Sequence, residues 1–348
     1  MIMTRKLVWL SSGFAVLAAA ACTTMNPEPT ASVTAARETV RVAGSGDAAD
    51  DPEVWVAPDP ASSLILGTDK TEGLYVFDLQ GEIVQFLPVG RLNNVDIWAS
   101  PPTGAFDLAM ATNRTTYSLD LFLIDRGAGE VSTSVSTPIV LTEGGPELAE
   151  PYGACAGTWN GARYAGVTSD LGEFIQYEII ATTDGLSAVE VRRFQLGSIA
   201  EGCVFDDRTG DLFIAEEEVG VWRLSTDPAT GDAREMVAPI DNRRLVADVE
   251  GLTIYPEGDD AGWLVASSQG DSAYAVFALP EVAYAGRFHV LDGAVDRTTT
   301  TDGVAATAAA LPDFPEGLLI IQDDADDADG QNFKLVDWRD VAEALRLE

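Results

Sequence analysis

The chain has 348 residues, with 56 acidic against 21 basic side chains and a formal net charge of −35. That balance argues against nucleic acid as a partner, because such binding needs a basic surface that displaces counterions from the phosphate backbone. It suits solubility or cation binding instead.

The N-terminus has a basic start (Arg5, Lys6), an apolar run from Leu7 to Ala21, and small residues before Cys22. Residues 1–21 therefore read as a secretory signal peptide. Cys22 stands where a bacterial lipoprotein is lipidated, although Ala19 departs from the aliphatic residue favoured three positions earlier. Simple secretion after cleavage near Ala21 is the alternative. Either way the chain is exported, as an outer-membrane lipoprotein or to the periplasm or medium. Residues 22–44 lack apolar periodicity and read as a tether. No later run is long and apolar enough to span a bilayer, so the only membrane contact expected is an N-terminal lipid. Loss of Arg5 and Lys6 with the signal peptide leaves 19 basic and 56 acidic residues, a net −37.

Residues 45–348 read as one domain, expected to be a monomer. Asp47, Asp50 and Asp51 precede the first apolar run, and Lys70 closes the next one. An alternating strand from Leu74 to Asp78, a turn containing Gly81 and a second strand from Ile83 to Leu87 make a hairpin. Asn93, Asn94 and Asp96 follow. Hard oxygen donors of this kind on loops suit Ca²⁺, which takes six to eight oxygen ligands. The same pattern then recurs: an apolar strand, a short polar or acidic loop, an alternating strand, and a turn into a further strand. Val76, Phe122, Ile175, Trp222, Val276 and Lys334 align, at intervals of 46, 53, 47, 54 and 58 residues. That spacing suits a four-stranded blade, and six units predict an all-β, six-bladed β-propeller. Helical periodicity is confined to residues 336–348.

In a propeller, loops after the first apolar strand of each unit meet around the central channel, which groups Lys70, Arg114, Glu216, Glu217 and Asp323. Asp248 and Glu250 point the same way along a strand. Cys155 and Cys203 are an even pair in an oxidising compartment, either bridged or free; we expect a disulfide between adjacent blades. The single histidine, His289, lies in an apolar-flanked strand and reads as structural. Tyr75, Trp222 and Tyr274 read as blade packing. No nucleophile elbow, Walker loop or zincin motif is present.

DDPEVW, GTDK, GLYVFD, GRLNNVDI, ATNR, EPYG, EGCVFDDRTGDLFIAEEEVGVW, DVEGLTIY, ASSQG, DRTTTTDG, FPEGLLIIQD and QNFKLV occur in that order between Asp47 and Trp338. Together they resemble the β-propeller phytases, calcium-dependent phosphatases that hydrolyse inositol hexakisphosphate. The resemblance implies calcium held by Asp50, Asp51, Glu201, Glu217, Asp248, Glu250, Asp296, Asp302 and Asp323. It implies Lys70, Asn93, Arg114 and Tyr152 as phosphate-binding residues, and Lys70, Arg114, Tyr152, Glu201 and Glu217 as the catalytic set. The implied reaction is attack on a phosphomonoester by metal-activated water. Physics agrees on the need for the cation, since two like charges about 4 Å apart repel by roughly 4 kcal/mol at an effective dielectric near 20.

This chain departs from the family pattern at Asp170 and Leu171, where the family has lysine and glutamate, and at Thr71, where many relatives have a second lysine. Weaker phosphate binding is the expected result. Two alternatives are a phosphatase acting on another phosphate ester and a non-catalytic lipoprotein propeller that scaffolds a partner.

Overall fold

The computed structural model describes residues 27–98, 104–141, 149–183, 185–324 and 330–347. The expected signal peptide and Cys22 lie outside the described residues, as do residues 325–329 of the acidic run that follows Asp323.

Two short strands come first, β1 (Ala31–Thr34) and β2 (Arg37–Glu38). Blade 1 holds β3 (Ala49–Trp55), β4 (Leu64–Asp69), β5 (Gly73–Asp78) and β6 (Ile83–Leu87). Blade 2 holds β7 (Leu92–Trp98), β8 (Phe106–Asn113), β9 (Ser118–Asp125) and β10 (Val131–Pro138). Blade 3 holds β11 (Pro151–Trp159), β12 (Ala162–Ser169), β13 (Glu173–Thr182) and β14 (Gly185–Gln195). Blade 4 holds β15 (Ala200–Asp206), β16 (Asp211–Glu216), β17 (Gly220–Ser225) and β18 (Arg234–Pro239). Blade 5 holds β19 (Val249–Glu257), β20 (Ala261–Ser268), β21 (Ala273–Leu279) and β22 (Ala283–Leu291). Blade 6 holds β23 (Val304–Thr307), β24 (Leu318–Asp323) and β25 (Asn332–Asp337), and the helix α1 (Trp338–Leu345) follows. Each blade is a meander whose first strand touches the first strands of its two neighbours, so β3, β7, β11, β15, β19 and β23 line the axis.

The period-2 alternation of the strands explains the core. In blade 1, Leu64, Leu66, Leu74 and Val76 pack towards blade 2 with Ala109, Ala111, Phe122 and Ile124. Ile65, Tyr75 and Phe77 face the other way, against Leu318, Ile320, Phe333 and Leu335 of blade 6. The same rule builds apolar layers between the other neighbouring blades, so the core is divided among the interfaces. Close packing needs room at some positions. A Cβ on Gly67 would lie 2.4 Å from the Phe333 ring.

Part of the segment read as a tether belongs to the propeller. β2 pairs antiparallel with β25 and completes blade 6, while β1 pairs in parallel with β22 and widens blade 5 to five strands. Four and two residues are too few to display a periodicity, and only Val33 of β1 is buried. The structural blades also begin one strand earlier than the sequence units. The aligned positions Val76, Phe122, Ile175, Trp222, Val276 and Lys334 all fall on third strands, so each innermost strand precedes its sequence unit.

The predicted C-terminal helix is present. Asp337 caps it by accepting the Arg339 N–H, and Trp338 stacks on Tyr255 at 4.0 Å between ring centroids. Tyr75 and Tyr274 are core residues, and Trp222 packs against the layer between blades 3 and 4. His289 sits on the outer strand β22, opposite Ser32 of β1. The disulfide Cys155–Cys203 joins the innermost strands of blades 3 and 4, with Cα atoms 5.5 Å apart and 48 residues between them in sequence.

Candidate active site at the propeller axis

Five innermost strands change register at the same point: between Ala49 and Pro52, Leu92 and Val95, Pro151 and Ala154, Ala200 and Cys203, and Val249 and Leu252. A bulge adds a residue to one strand and re-aims its side chains. The first residue inside each bulge is Asp50, Asn93, Tyr152, Glu201 or Glu250. Asp302 matches them in blade 6, since Gly251 N–H donates to Asp302 O at 2.9 Å and Gly303 N–H to Asp50 O at 3.1 Å. Six polar side chains from six blades thus form a ring about the axis.

The next residue is glycine in four blades, and contact distances show why. A Cβ on Gly153 would lie 1.8 Å from Glu201 O, on Gly202 2.1 Å from Glu250 O, on Gly251 2.6 Å from Asp302 O, and on Gly303 2.3 Å from Asp51 Oδ1. Only glycine lets neighbouring inner strands approach closely enough to converge the ring.

A second tier comes from the ends of the second strands. Lys70, Arg114, Asp170, Glu217 and Gln269 each donate a backbone N–H to the residue two before a ring member: Ala48 O (2.7 Å), Arg91 O (2.7 Å), Glu150 O (3.2 Å), Ile199 O (3.0 Å) and Asp248 O (2.9 Å). Their side chains therefore sit around the same opening.

Within this frame the Lys70 ammonium lies 2.7 Å from Asp302, 2.8 Å from Asp47 and 3.1 Å from Asp50. Gln269 Nε2 donates to the other Asp302 oxygen at 2.6 Å. Asn93 Nδ2 donates to Glu201 Oε1 at 3.0 Å. Asp51 Oδ2 accepts the Val95 N–H at 3.0 Å, which holds blade 1 to blade 2. Tyr152 lies beside Glu201, whose charge acts on its phenol, and the Arg114 guanidinium lies 4.7 Å from the centroid of its ring.

The electrostatics follow from burial. Desolvation pushes the Glu201 and Glu250 carboxyls well above the usual carboxylate range, and the charges of Asp50 and Glu201 respectively push them further. Burial and Asp248 raise Glu217 to about 7, and burial raises Asp302 to about 6 against the pull of Lys70. Desolvation and Asp50 raise Asp51. Asp248, at the rim, is raised by burial and Glu218. Glu201 is the largest influence raising the Tyr152 phenol, so that hydroxyl stays a proton donor. Desolvation alone would lower Lys70, but Asp50, Asp302 and Glu201 hold it well above its ordinary value. Beneath the ring the channel encloses about 280 Å³, lined in part by Glu53, Asp96 and Asp207. Burial lifts Asp96 to about 7 and Asp207 to about 6.

Carboxylate oxygens of Glu201, Glu217 and Glu250 lie within 4.8 Å of one another, and all three residues are buried. Among the described residues Glu250 Oε2 and Asn93 Oδ1 are buried without hydrogen-bond partners, and Asp50 Oδ1 faces the Lys70 ammonium. Buried oxygens are ordinarily satisfied. Converging acceptors with free lone pairs therefore fit a cation bound by hard oxygen ligands.

Not every expected residue joins this group. Asp296 and Asp323 meet at the buried Lys334 with Glu38; the Asp323 contact is 3.2 Å. Glu216 turns away from the opening, accepting hydrogen bonds from Ser198 at 3.0 Å and from the Trp222 indole at 2.7 Å. Asp170 Oδ1 accepts the Glu150 N–H at 2.7 Å, which gives the carboxylate a structural partner. Gln269, Glu150 and Arg91 went unassigned in the sequence. A recurring polar-Gly pair, Tyr152-Gly153, Glu201-Gly202, Glu250-Gly251 and Asp302-Gly303, at intervals of 49, 49 and 52 residues, marks four ring members but none of these three.

A family model described as phytase matches residues 1–348. The chain belongs to the phytase family. It is 37% identical over 338 residues to the 3-phytase of Bacillus subtilis (strain 168), covering 92% of this chain and 87% of that relative. Among solved structures, a chain of a nidogen/laminin complex shares 14% identity and a TM-score of 0.44, covering 73% of this chain and 83% of its own; at that score the likeness carries no argument. Membership of the phytase family makes the chain a phosphomonoester hydrolase of the 3-phytase type.

Proposed function

We propose that this chain is an exported, monomeric, calcium-dependent phosphatase that releases inorganic phosphate from phytate. The observation that carries the reading is the trio Glu201, Glu217 and Glu250, buried with oxygens within 4.8 Å of one another in a phytase-family chain. Glu201, Glu217, Glu250 and Asp50 would hold calcium, with Asp51, Asp302 and Asp248 beside them. Bound calcium supplies positive charge for the substrate phosphate and lowers the pKa of water. The chain's own residues then orient the ester. Arg114 binds phosphate oxygens from above the Tyr152 ring, the Tyr152 hydroxyl donates a hydrogen bond, and Asn93 fixes Glu201. Lys70 balances Asp50 and Asp302 until substrate or cation takes over one of those contacts. A second calcium site at Glu38, Asp296 and Asp323 would compete with Lys334.

The Cys155–Cys203 disulfide supports export, since such bonds persist in oxidising compartments, and the N-terminal pattern supports a signal peptide with Cys22 as a lipidation site. Asp170 favours a second reading in which the preferred ester is less highly phosphorylated than phytate. It occupies a second-tier place where Lys70 and Arg114 carry positive charge.

The test is phosphate release from phytate with calcium and after chelation. Release only with calcium is expected. Release indifferent to calcium would remove the cofactor from the proposal, and no release from phytate or simpler esters would leave the scaffold reading.

A further inference from the structure

Arg91 and Glu150 hold equivalent places in neighbouring blades, two residues before the ring members Asn93 and Tyr152. The Arg91 side chain is 44% exposed and meets Glu150 through two parallel hydrogen bonds, Nη1 to Oε1 and Nη2 to Oε2, both 3.1 Å. Arg114 Nε lies 3.6 Å from that same Oε2, and among the described residues this buried donor has no hydrogen-bond partner. The two arginines are cross-strand neighbours just past the β7–β8 ladder, tied by the 2.7 Å bond from Arg114 N–H to Arg91 O. Two guanidiniums thus flank one carboxylate at the opening, in a chain with only 21 basic residues. Asp170 fixes the Glu150 backbone from the other side.

We propose that Arg91 is a phosphate-binding residue of this active site, working as a pair with Arg114, and that Glu150 is a built-in anion which an incoming phosphate displaces. The inference rests on the phosphatase reading above. Guanidinium forks match the geometry of carboxylate and phosphate alike. The Arg91–Glu150 pair is part-exposed, so solvent screens it and its loss costs little. A phosphate dianion carries more charge and more acceptor oxygens than the carboxylate it replaces. This pair supplies cationic contacts on the side of the site where Asp170 stands in place of lysine.

The test uses the whole exported chain and two readouts, the KM and kcat for phytate and the binding of inorganic phosphate by calorimetry. Arg91→Ala is expected to raise the KM and weaken phosphate binding about tenfold while kcat changes less than about twofold, with Arg91→Lys restoring part of the affinity. Glu150→Gln keeps the shape, removes the charge, and is expected to tighten phosphate binding by roughly threefold. Undiminished phosphate affinity in Arg91→Ala overturns the role of Arg91. Loss of affinity in Glu150→Gln as large as in Arg91→Ala overturns displacement and makes Glu150 a positioning residue. A parent chain that binds phosphate but releases none from phytate sinks the phytate reading alone, because the calorimetric comparison still decides the role of Arg91. A parent chain that binds no phosphate overturns the proposal.

Discussion

The ring around the axis mixes one amide, one phenol and four carboxyls, and each contributes something different. Asn93 hydrogen-bonds Glu201 with Tyr152 beside it, while Glu250 and Asp50 keep oxygens without a hydrogen-bond partner among the described residues. Glu217 reaches the same point from the second tier. We therefore expect Glu217→Ala to lower kcat for phosphate release by on the order of 100-fold, because loss of a ligand removes stabilisation made in the transition state. Full activity in that variant would place the cation elsewhere. Glycine matters as much as the charged residues. Gly202→Ala puts a Cβ 2.1 Å from Glu250 O, so blades 4 and 5 must part. The expected cost is about 1–3 kcal/mol of stability, with loss of turnover, read by urea unfolding and a phosphate assay. The carboxyls themselves were legible in the sequence through family motifs. The ring was not, because its register depends on bulges that no local periodicity announces.

Among the elements, the innermost strands carry the site and the outermost close the circle. The disulfide staples β11 to β15 close to Tyr152 and Glu201. Closing a loop of 48 residues is worth roughly 4 kcal/mol in the chain-entropy model. Replacing both cysteines with serine should cost about that much in urea unfolding, whereas an unchanged midpoint would mean the staple adds nothing. At the other end of the sheet order, β2 covers the open edge of β25, and Val33 of β1 is buried against blade 5. An exposed edge invites pairing with other chains. Removing the chain up to Glu38 should lower the melting temperature and promote aggregation, through loss of about 2 kcal/mol for the buried valine plus the strand pairing.

For the whole molecule, the acidic excess concentrates its consequences at the axis. Glu217 is raised to about 7, Asp302 to about 6, Asp96 to about 7 and Asp207 to about 6, all above their ordinary values. Groups raised on folding hold more protons in the folded state, so their stabilisation is complete below about pH 4 and is lost as pH rises through 6 to 7. In chelator, the melting temperature should therefore be higher at about pH 5 than at about pH 8. Calcium held by these carboxylates would need them deprotonated and would bind only the folded state, so on the proposed reading it should raise the melting temperature more at the higher pH. Equal melting temperatures at both pH values in chelator would mean that these carboxyls do not titrate together as placed. No calcium effect at either pH would mean that the acidic ring holds no tight cation.

The sequence by itself determined the blade count, the alternation that fills the layers between blades and most of the carboxylates. These are local or repeated properties: a period of two, a spacing near fifty residues, and side-chain chemistry that survives any arrangement. Tertiary structure decided the rest. Only the closed ring makes Asp50 and Asp302 neighbours across most of the chain, sends Asp296 and Asp323 to Lys334 instead, and turns Glu216 away from the opening while Glu217 faces it. It also makes structure of residues 31–38, whose pairing partners lie near the far end of the chain, and sets Arg91 beside Arg114 and Glu150. Those contacts depend on bulge register and ring closure, which are set when six blades meet around one axis.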